Sequence, residues 1–85
     1  MTIHELKTWE RYFKEIWNGN KTFEIRVNDR DFKKGDILLL KEYNPAFNLY
    51  SGRSISVEIT YILDDPFFLK EGYVIMSFII KSREE

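Results

Sequence analysis

The chain has 85 residues, of which 44% are hydrophobic and 16% aromatic, a composition that favours a single globular domain over residues 1–85 and excludes disorder. It contains no cysteine, which excludes disulfides and thiolate ligands or nucleophiles. The formal net charge of −1 argues against a protein that coats nucleic acid through charge alone, although residues 1–35 hold eight Lys/Arg against six Asp/Glu and residues 36–85 hold five against eight.

The first strong element is a helix expected from about residue 8 to residue 18. Apolar side chains recur there at the spacing of one helical face, namely Trp9, Tyr12, Phe13, Ile16 and Trp17. Both tryptophans are therefore assigned to the core. Thr8 is expected to cap the helix and Gly19 to end it. Ahead of the helix, residues 3–7 form a candidate edge strand.

A strand is predicted from Thr22 to Asn28, because apolar and polar residues alternate there. One face carries Phe23, Ile25 and Val27, and the other carries Thr22, Glu24, Arg26 and Asn28. A fully polar strand face in a small domain either meets bulk water or lines a polar cleft. Periodicity alone leaves both explanations open.

The rest of the chain reads as three further strands separated by turns and loops. Ile37–Tyr43 is the first of them, and a long hairpin loop is expected from Asn44 to Gly52. Ser54–Leu63 alternates, with Ile55, Val57, Ile59 and Tyr61 on one face. Tyr73–Lys81 is nearly continuously apolar, which predicts a strand buried on both sides, followed by a polar tail.

This order of elements predicts an α+β fold, a small β-barrel of about five strands with one main N-terminal helix. Too few helices follow the strands for repeated βαβ units, so the sheet is expected to be antiparallel or mixed. Closing such a sheet removes its exposed edges. The helix would then plug one end of the barrel or lie along it.

The most informative segment is Gly19-Asn20-Lys21-Thr22-Phe23-Glu24-Ile25-Arg26. Glu24 and Arg26 are two residues apart on a strand and therefore share a face, and Lys21 lies at the preceding corner. Arg26 is a planar donor fork suited to phosphate or carboxylate, and Lys21 is a point charge for phosphate or, if desolvated, a general base. Glu24 can accept from an exocyclic amine of a base, or it can simply hold Arg26 or Lys21 in place as a structural pair.

The same segment resembles the G-x-K-x-x-E-x-R motif of ASCH domains, a PUA-like family named for homology to activating signal cointegrator. The likeness extends over essentially the whole chain, to a short single-domain bacterial and phage subgroup of unknown function. The segments outside the motif that carry this likeness are His4–Lys7, Asn28–Phe32, Gly35-Asp36, Gly52-Arg53 and Gly72–Met76. The resemblance implies a PUA-like barrel, RNA binding, and a cleft beside the helix where the motif residues gather.

A few members of that family are hydrolases, and one type removes an acyl group from acetylated cytidine with a Lys and a Thr. The resemblance puts that Lys at Lys21, but Glu24 stands at the position of the Thr, so this chain departs from the hydrolase pattern. Glu42 or Glu58 could supply a second carboxylate, although nothing in the sequence fixes either one in the cleft.

Other candidate residues carry weaker signals. Arg30, Lys33 and Lys34 could form a basic rim, but a solvated turn is the simpler explanation. Aromatic residues in the irregular segments could stack on bases, yet at least half of them are expected to cover the core; they are Phe47, Tyr50, Phe67 and Phe68. His4 is the single histidine, and no Gly-rich phosphate loop is present, so neither a metal nor a cofactor is expected.

We therefore expect an RNA- or nucleotide-binding module whose ligand residues are Lys21, Thr22, Glu24, Arg26, Asn28 and Arg30. The near-neutral charge favours a pocket for one nucleotide, and a cytoplasmic monomer with no membrane partner is expected. The alternative is a small nucleoside amidohydrolase or ribonuclease using Lys21 and Glu24, which would need an enclosed lysine with a second polar partner. A third possibility is a protein-interaction adaptor, which an exposed apolar patch without a polar cleft would favour.

Overall fold

The computed structural model describes residues 1–85 and contains one short helix and five strands. In chain order they are β1 (Ile3–Trp9), α1 (Glu10–Trp17), β2 (Phe23–Val27), β3 (Ile37–Asn44), β4 (Leu49–Leu63) and β5 (Tyr73–Glu84). This is the predicted α+β class, with the edge strand before the helix confirmed. The helix has only eight residues, and no helix in the structure is long and apolar enough to cross a membrane.

All five strands form one sheet in the order β1-β3-β4-β5-β2. β1 pairs with β3 in parallel, and every other neighbouring pair is antiparallel. The sheet curls into a half-barrel in which β1 and β2 are the two edges. The barrel is therefore not closed by a strand ladder, and these two edges become the walls of an opening.

The core lies on the concave side of the curled sheet, where α1 packs against β1 and β3. Helix residues Phe13 and Ile16 are completely buried there. The strand residues that surround them are Leu6, Leu38, Leu40, Ile55, Val57, Ile59, Val74, Met76 and Phe78, and Phe32 joins them from the segment before β3. Burying large apolar side chains is the main stabilising contribution in a domain of this size.

The helix begins later than its apolar periodicity predicted. β1 continues through Thr8 and Trp9, which lie opposite Glu42 and Tyr43 in the parallel ladder. Thr8 is a buried strand residue rather than a cap, and Trp9 occupies the cap position without a capping side-chain bond. Pairing with β3 thus took precedence over the local helix signal. Gly19 ends the helix as predicted, with a φ of +81°.

The assignment of both tryptophans to the core was half wrong. Trp17 packs against the core. Trp9 is 49% exposed, because it lies on the outer face of β1, whereas Leu6 and Thr8 lie on the buried face. Strand geometry, rather than helical geometry, decides where this side chain points.

The hairpin between β3 and β4 is tighter than the long loop that was predicted. The strands pair out to Asn44 and Leu49, so only residues 45–48 form the turn. Further along, Glu42 lies opposite a three-residue bulge that includes Gly52, whose φ of +96° suits a residue without a Cβ. Flexible-looking residues such as Ser51 and Gly52 therefore belong to a strand.

Two predicted strand faces differ in the structure, the first because of a register irregularity in β4. Ile59 lies opposite Phe78 and Tyr61 lies opposite Ser77, so a bulge at Thr60 reverses the alternation and exposes Tyr61, which was expected beside Ile59. β5 continues to Glu84, where a polar tail was expected, and only its inner face is fully buried. Ile79 on the outer face is exposed, because no layer covers that side of the sheet.

Candidate ligand-binding cleft

The polar face of β2 points into the half-barrel opening, and its apolar face points outward. Glu24 is only 4% exposed, whereas Phe23, Ile25 and Val27 are all about half exposed. The orientation follows from pairing with β5, which places Glu24 opposite the buried Met76. Of the two explanations that the sequence left open, the polar cleft holds for Glu24 and Arg26, and Phe23 and Ile25 of the apolar face also line it.

Glu24 is held between two cations. Its Oε1 accepts a hydrogen bond from Nζ of Lys21 at 2.8 Å, and its Oε2 accepts one from Nε of Arg26 at 2.8 Å. A carboxylate buried this deeply is tolerated only when it is paired and hydrogen-bonded. The motif residues therefore form one compact ionic cluster.

Lys21 is fixed at the corner between α1 and β2. Its main-chain N–H donates to the carbonyl oxygen of Glu15, and its Nζ also donates to the carbonyl oxygen of Phe23 at 2.6 Å. The side chain is 16% exposed. Because an ammonium group has three N–H donors and the protein engages two, one donor is left for a ligand.

Arg26 spans the opening between the sheet edges. Its Nη2 donates to the carbonyl oxygen of Lys7 at 2.7 Å and lies 3.4 Å from Oγ1 of Thr8. Arg30 makes an equivalent bond to β1, because its Nη1 donates to the carbonyl oxygen of Glu5, two residues before Lys7, at 2.8 Å. Two guanidinium groups thus satisfy alternate carbonyls of the free edge of β1, which would otherwise be open to pairing with another chain. The two N–H donors on Nη1 of Arg26 have no partner in the protein.

A cleft of about 790 Å³ lies directly over this cluster, and we call it the aromatic cleft. Four aromatic side chains take part in its walls. The lining residues are Lys7, Thr8, Trp9, Tyr12, Lys21, Phe23, Glu24, Ile25, Arg26 and Tyr73. The rings of Trp9 and Tyr12 are stacked, with centroids 6.4 Å apart and planes 19° apart.

A second, smaller cavity of about 400 Å³ opens on the other side of Arg26, and we call it the cationic cavity. Its lining residues are Glu5, Leu6, Lys7, Arg26, Arg30, Lys41 and Tyr50. Nζ of Lys41 lies 2.7 Å from Oε1 of Glu5. This hydrogen bond raises the pKa of Lys41 and lowers the pKa of Glu5, so both groups stay charged near neutral pH.

The other predicted ligand residues are spread over different positions. Thr22 is exposed, and its carbonyl oxygen accepts from the main-chain N–H of Phe78 in the sheet. Asn28 uses Oδ1 to accept from the main-chain N–H of Phe32, so it fixes the turn after β2. Neither residue lines the aromatic cleft, whereas Arg30 lines the cationic cavity.

The two candidate second carboxylates have partners outside the aromatic cleft. Glu42 accepts two bonds from Arg53, each 3.0 Å long, and one from Ser51. The bonds from Arg53 outweigh burial and lower the pKa of Glu42. Arg53 in turn lies 4.7 Å over the ring of Trp17, which makes this a structural pair. Oε1 of Glu58 lies 3.7 Å from Nζ of Lys81.

His4 also has a structural environment. Its Nε2 is 2.9 Å from Oδ2 of the buried Asp36, and its ring meets that of Phe32 edge-on. Asp36 additionally accepts from the main-chain N–H groups of Thr2 and Lys33. No group of three or more His, Asp or Glu side chains converges to hold a metal ion.

The aromatic residues of the segments predicted to be irregular do not cover the core, contrary to expectation, and one of them, Tyr50, lies in β4. All four are exposed, and Phe67 reaches 85%. The aromatic residues that line the cleft come instead from regular elements, and sequence reasoning missed them, as it missed Lys7. A tryptophan directly after an alternating strand was the one available signal, but the helical pattern that starts at the same residue concealed it.

Fold and cleft together define a class of small α+β domain in which a basic and aromatic cleft lies between the two edges of a curled five-stranded sheet. The chain belongs to the family described as a domain of unknown function, DUF3850, whose model matches residues 3–78. It is also 35% identical over 78 residues to an "Uncharacterized 12.9 kDa protein in GpA 3'region" of Escherichia phage P2, an overlap of 92% of this chain and 69% of that relative. The matched residues include every residue that lines the two cavities.

Proposed function

We propose that this protein is an RNA- or nucleotide-binding module whose aromatic cleft receives a base and whose cations hold the adjoining phosphate. One observation carries the proposal: half-exposed aromatic rings and cationic donors without a protein partner line the same cleft. Stacking of a base on an aromatic ring contributes about 1–3 kcal/mol and tolerates any base. Trp9 and Tyr12 offer that surface at the mouth of the cleft.

The phosphate contacts follow from the donors that the fold leaves free. Lys21 retains one N–H donor and Arg26 retains two, and Lys7 adds a third cation to the lining of the aromatic cleft. Three cations against the single carboxylate of Glu24 leave a local surplus of positive charge. A planar guanidinium beside an ammonium group is well suited to phosphate oxygens.

We further propose that the family is related to ASCH domains and shares their PUA-like architecture. Two features support this relationship besides the sequence motif. The curled five-stranded sheet has one helix at its opening, and Lys21, Glu24 and Arg26 gather in a cleft that the helix residue Tyr12 helps to line.

The hydrolase alternative required an enclosed lysine with a second polar partner, and Lys21 meets this requirement, since its side chain is 16% exposed and its Nζ donates to Glu24. The way these groups are engaged nevertheless gives a hydrolase less support than a binding module. Both oxygens of Glu24 already accept from cations, and Lys21 donates to two acceptors as an ammonium group. A general base needs an available lone pair that faces the substrate. We therefore propose that Glu24 is a structural counter-ion of Lys21 and Arg26 and that the ligand is bound by the two cations.

Intrinsic fluorescence gives a direct test, because the two tryptophans differ in environment. Trp17→Phe leaves Trp9 as the only indole, so its emission reports on the aromatic cleft alone. Titration with uridine monophosphate is expected to quench it saturably. Lys21→Ala should weaken the binding, while Lys14→Ala on the exposed face of α1 should leave it unchanged.

The same samples should be assayed for products from acetylated cytidine and from short RNA. Turnover that disappears in both Lys21→Ala and Glu24→Ala would replace the binding module by an enzyme. Absence of both binding and turnover would leave the cleft as a scaffold and favour the adaptor, for which the exposed apolar face of β2 is the available surface.

A further inference from the structure

The aromatic cleft and the cationic cavity are adjacent parts of one binding surface. Lys7 and Arg26 line both of them, so the two cavities adjoin at this hydrogen-bonded pair. Their volumes, about 790 and 400 Å³, each fall in the range of sites that hold small molecules. A ligand that enters the first at Trp9 can therefore continue past Arg26 into the second.

Charge is concentrated along this path. Five cations line the two cavities, against the two carboxylates Glu5 and Glu24, which gives a formal surplus of +3. The whole chain carries −1, so all its other residues together carry −4. A protein that looks unsuited to a polyanion from its net charge thus has one strongly basic track, and local fields of this kind attract anionic ligands.

The cations of the cationic cavity are accessible to a phosphate, although Lys41 is paired with Glu5 and Arg30 donates to the main-chain carbonyl of Glu5. The side chains of Lys41 and Arg30 are about half exposed, and Lys7 is exposed on the outer face of β1. Tyr50, also half exposed, adds an aromatic surface at the far end from Trp9. Cations interleaved with exposed rings are the usual arrangement for single-stranded nucleic acid.

We infer that the ligand is a single strand of at least two nucleotides, with one base in the aromatic cleft and the following phosphate and nucleotide over Arg26 in the cationic cavity. The inference rests on the proposed function and specifies its substrate class. It replaces the expectation of a pocket for one nucleotide, because the placement of the charges matters more than their sum. The carboxylate of Glu5 competes with the ligand phosphate for Lys41, and the phosphate displaces it on binding.

Two variants test the second cavity without touching the first. Lys41→Ala removes a phosphate contact, and Glu5→Gln releases Lys41 from its carboxylate partner. Lys34→Ala is the matched control, since Lys34 is an exposed cation that lines neither cavity. The probes are uridine monophosphate and hexauridylate, titrated into the protein over a range of salt concentrations.

Hexauridylate is expected to bind more tightly than uridine monophosphate. Lys41→Ala should weaken hexauridylate binding about fivefold at 0.1 M salt and reduce the slope of log K against log salt by about 0.7, the contribution of one released counterion. Glu5→Gln should strengthen hexauridylate binding. Neither variant should alter the affinity for uridine monophosphate, and Lys34→Ala should alter neither affinity.

The outcomes separate the two proposals. Equal affinity for both probes, or an unchanged salt slope in Lys41→Ala, would overturn the two-cavity inference and leave the aromatic cleft as a one-nucleotide site. Failure of both probes to bind would overturn the proposed function and this inference with it. A loss confined to hexauridylate supports both.

Discussion

Arg26 donates to the main-chain carbonyl of Lys7 across 2.7 Å, and this bond joins the two edge strands of the half-barrel. The same guanidinium holds the buried carboxylate of Glu24. One side chain therefore both closes the sheet and organises the cleft, so stability and ligand binding are coupled at this position.

Replacement of Arg26 by Gln should destabilise the fold. The variant loses the bond to Lys7 and removes one of the two cations that compensate Glu24, at a cost of about 1–3 kcal/mol in the free energy of unfolding. Urea denaturation measures this cost. Arg11→Gln on the exposed surface of α1 is the control, with an expected change within about 0.5 kcal/mol. Equal stability of the two variants would show that Arg26 does not hold the edges together.

Glu24→Gln distinguishes a carboxylate that holds cations from one that reads a base. If Glu24 holds Lys21 and Arg26, its neutralisation should lower the free energy of unfolding by about 1–3 kcal/mol and at the same time tighten binding of uridine monophosphate, because both cations gain free donors. Denaturation measures the change in the free energy of unfolding, and titration of the same preparation measures the change in affinity. Weaker binding in this variant would assign Glu24 to direct contact with the ligand.

Substitutions on the apolar face of β2 should hardly change the free energy of unfolding. Ile25 is 51% exposed on the outer face, so Ile25→Thr is expected to change the free energy of unfolding by less than about 0.5 kcal/mol. Ile59→Ala, at a completely buried position of β4, should cost about 2–5 kcal/mol. A large loss in Ile25→Thr would mean that another surface covers this face in solution, as the adaptor hypothesis requires.

Two buried carboxylates should make the protein sensitive to acid. Burial raises the pKa of Asp36, but hydrogen bonds from His4, Thr2 and Lys33 outweigh it and hold the pKa below its ordinary 3.8. Arg53 likewise holds the pKa of Glu42 below 4.5, although burial opposes it. Both groups therefore stabilise the fold fully above about pH 4.5, and that stabilisation is lost as the pH falls through the lowered values.

The acid sensitivity can be measured as the urea midpoint against pH. Asp36→Asn should lower the midpoint at neutral pH and make its decline below about pH 4.5 shallower than in the parent protein. Asp64→Asn, in the exposed segment before β5, is the matched control and should follow the parent curve. An unchanged acid decline in Asp36→Asn would remove this residue from the explanation.

Local sequence patterns determined much of this protein. The alternation of apolar and polar residues in β2 and β4, the amphipathic turn of α1 and the stop at Gly19 follow from rules that involve only neighbouring residues, so the α+β class and the approximate elements could be predicted. The spacing of Glu24 and Arg26 also placed these two residues together, because i and i+2 positions of a strand share a face, and Lys21 was predicted at the corner just before them.

Long-range pairing decided the rest. The parallel ladder between β1 and β3 carried Thr8 and Trp9 into a strand, and the bulge at Thr60 turned Tyr61 outward. Neither ladder leaves a signal in the local sequence, since each depends on a partner tens of residues away. The apolar residues of β2 face outward and Glu24 inward for the same reason, because pairing with the distant strand β5 places Glu24 opposite the buried Met76. Sequence determined which residues form the cleft's ionic cluster, and only the tertiary structure brought Trp9 and Lys7 to the aromatic cleft and Lys41 to the adjoining cationic cavity.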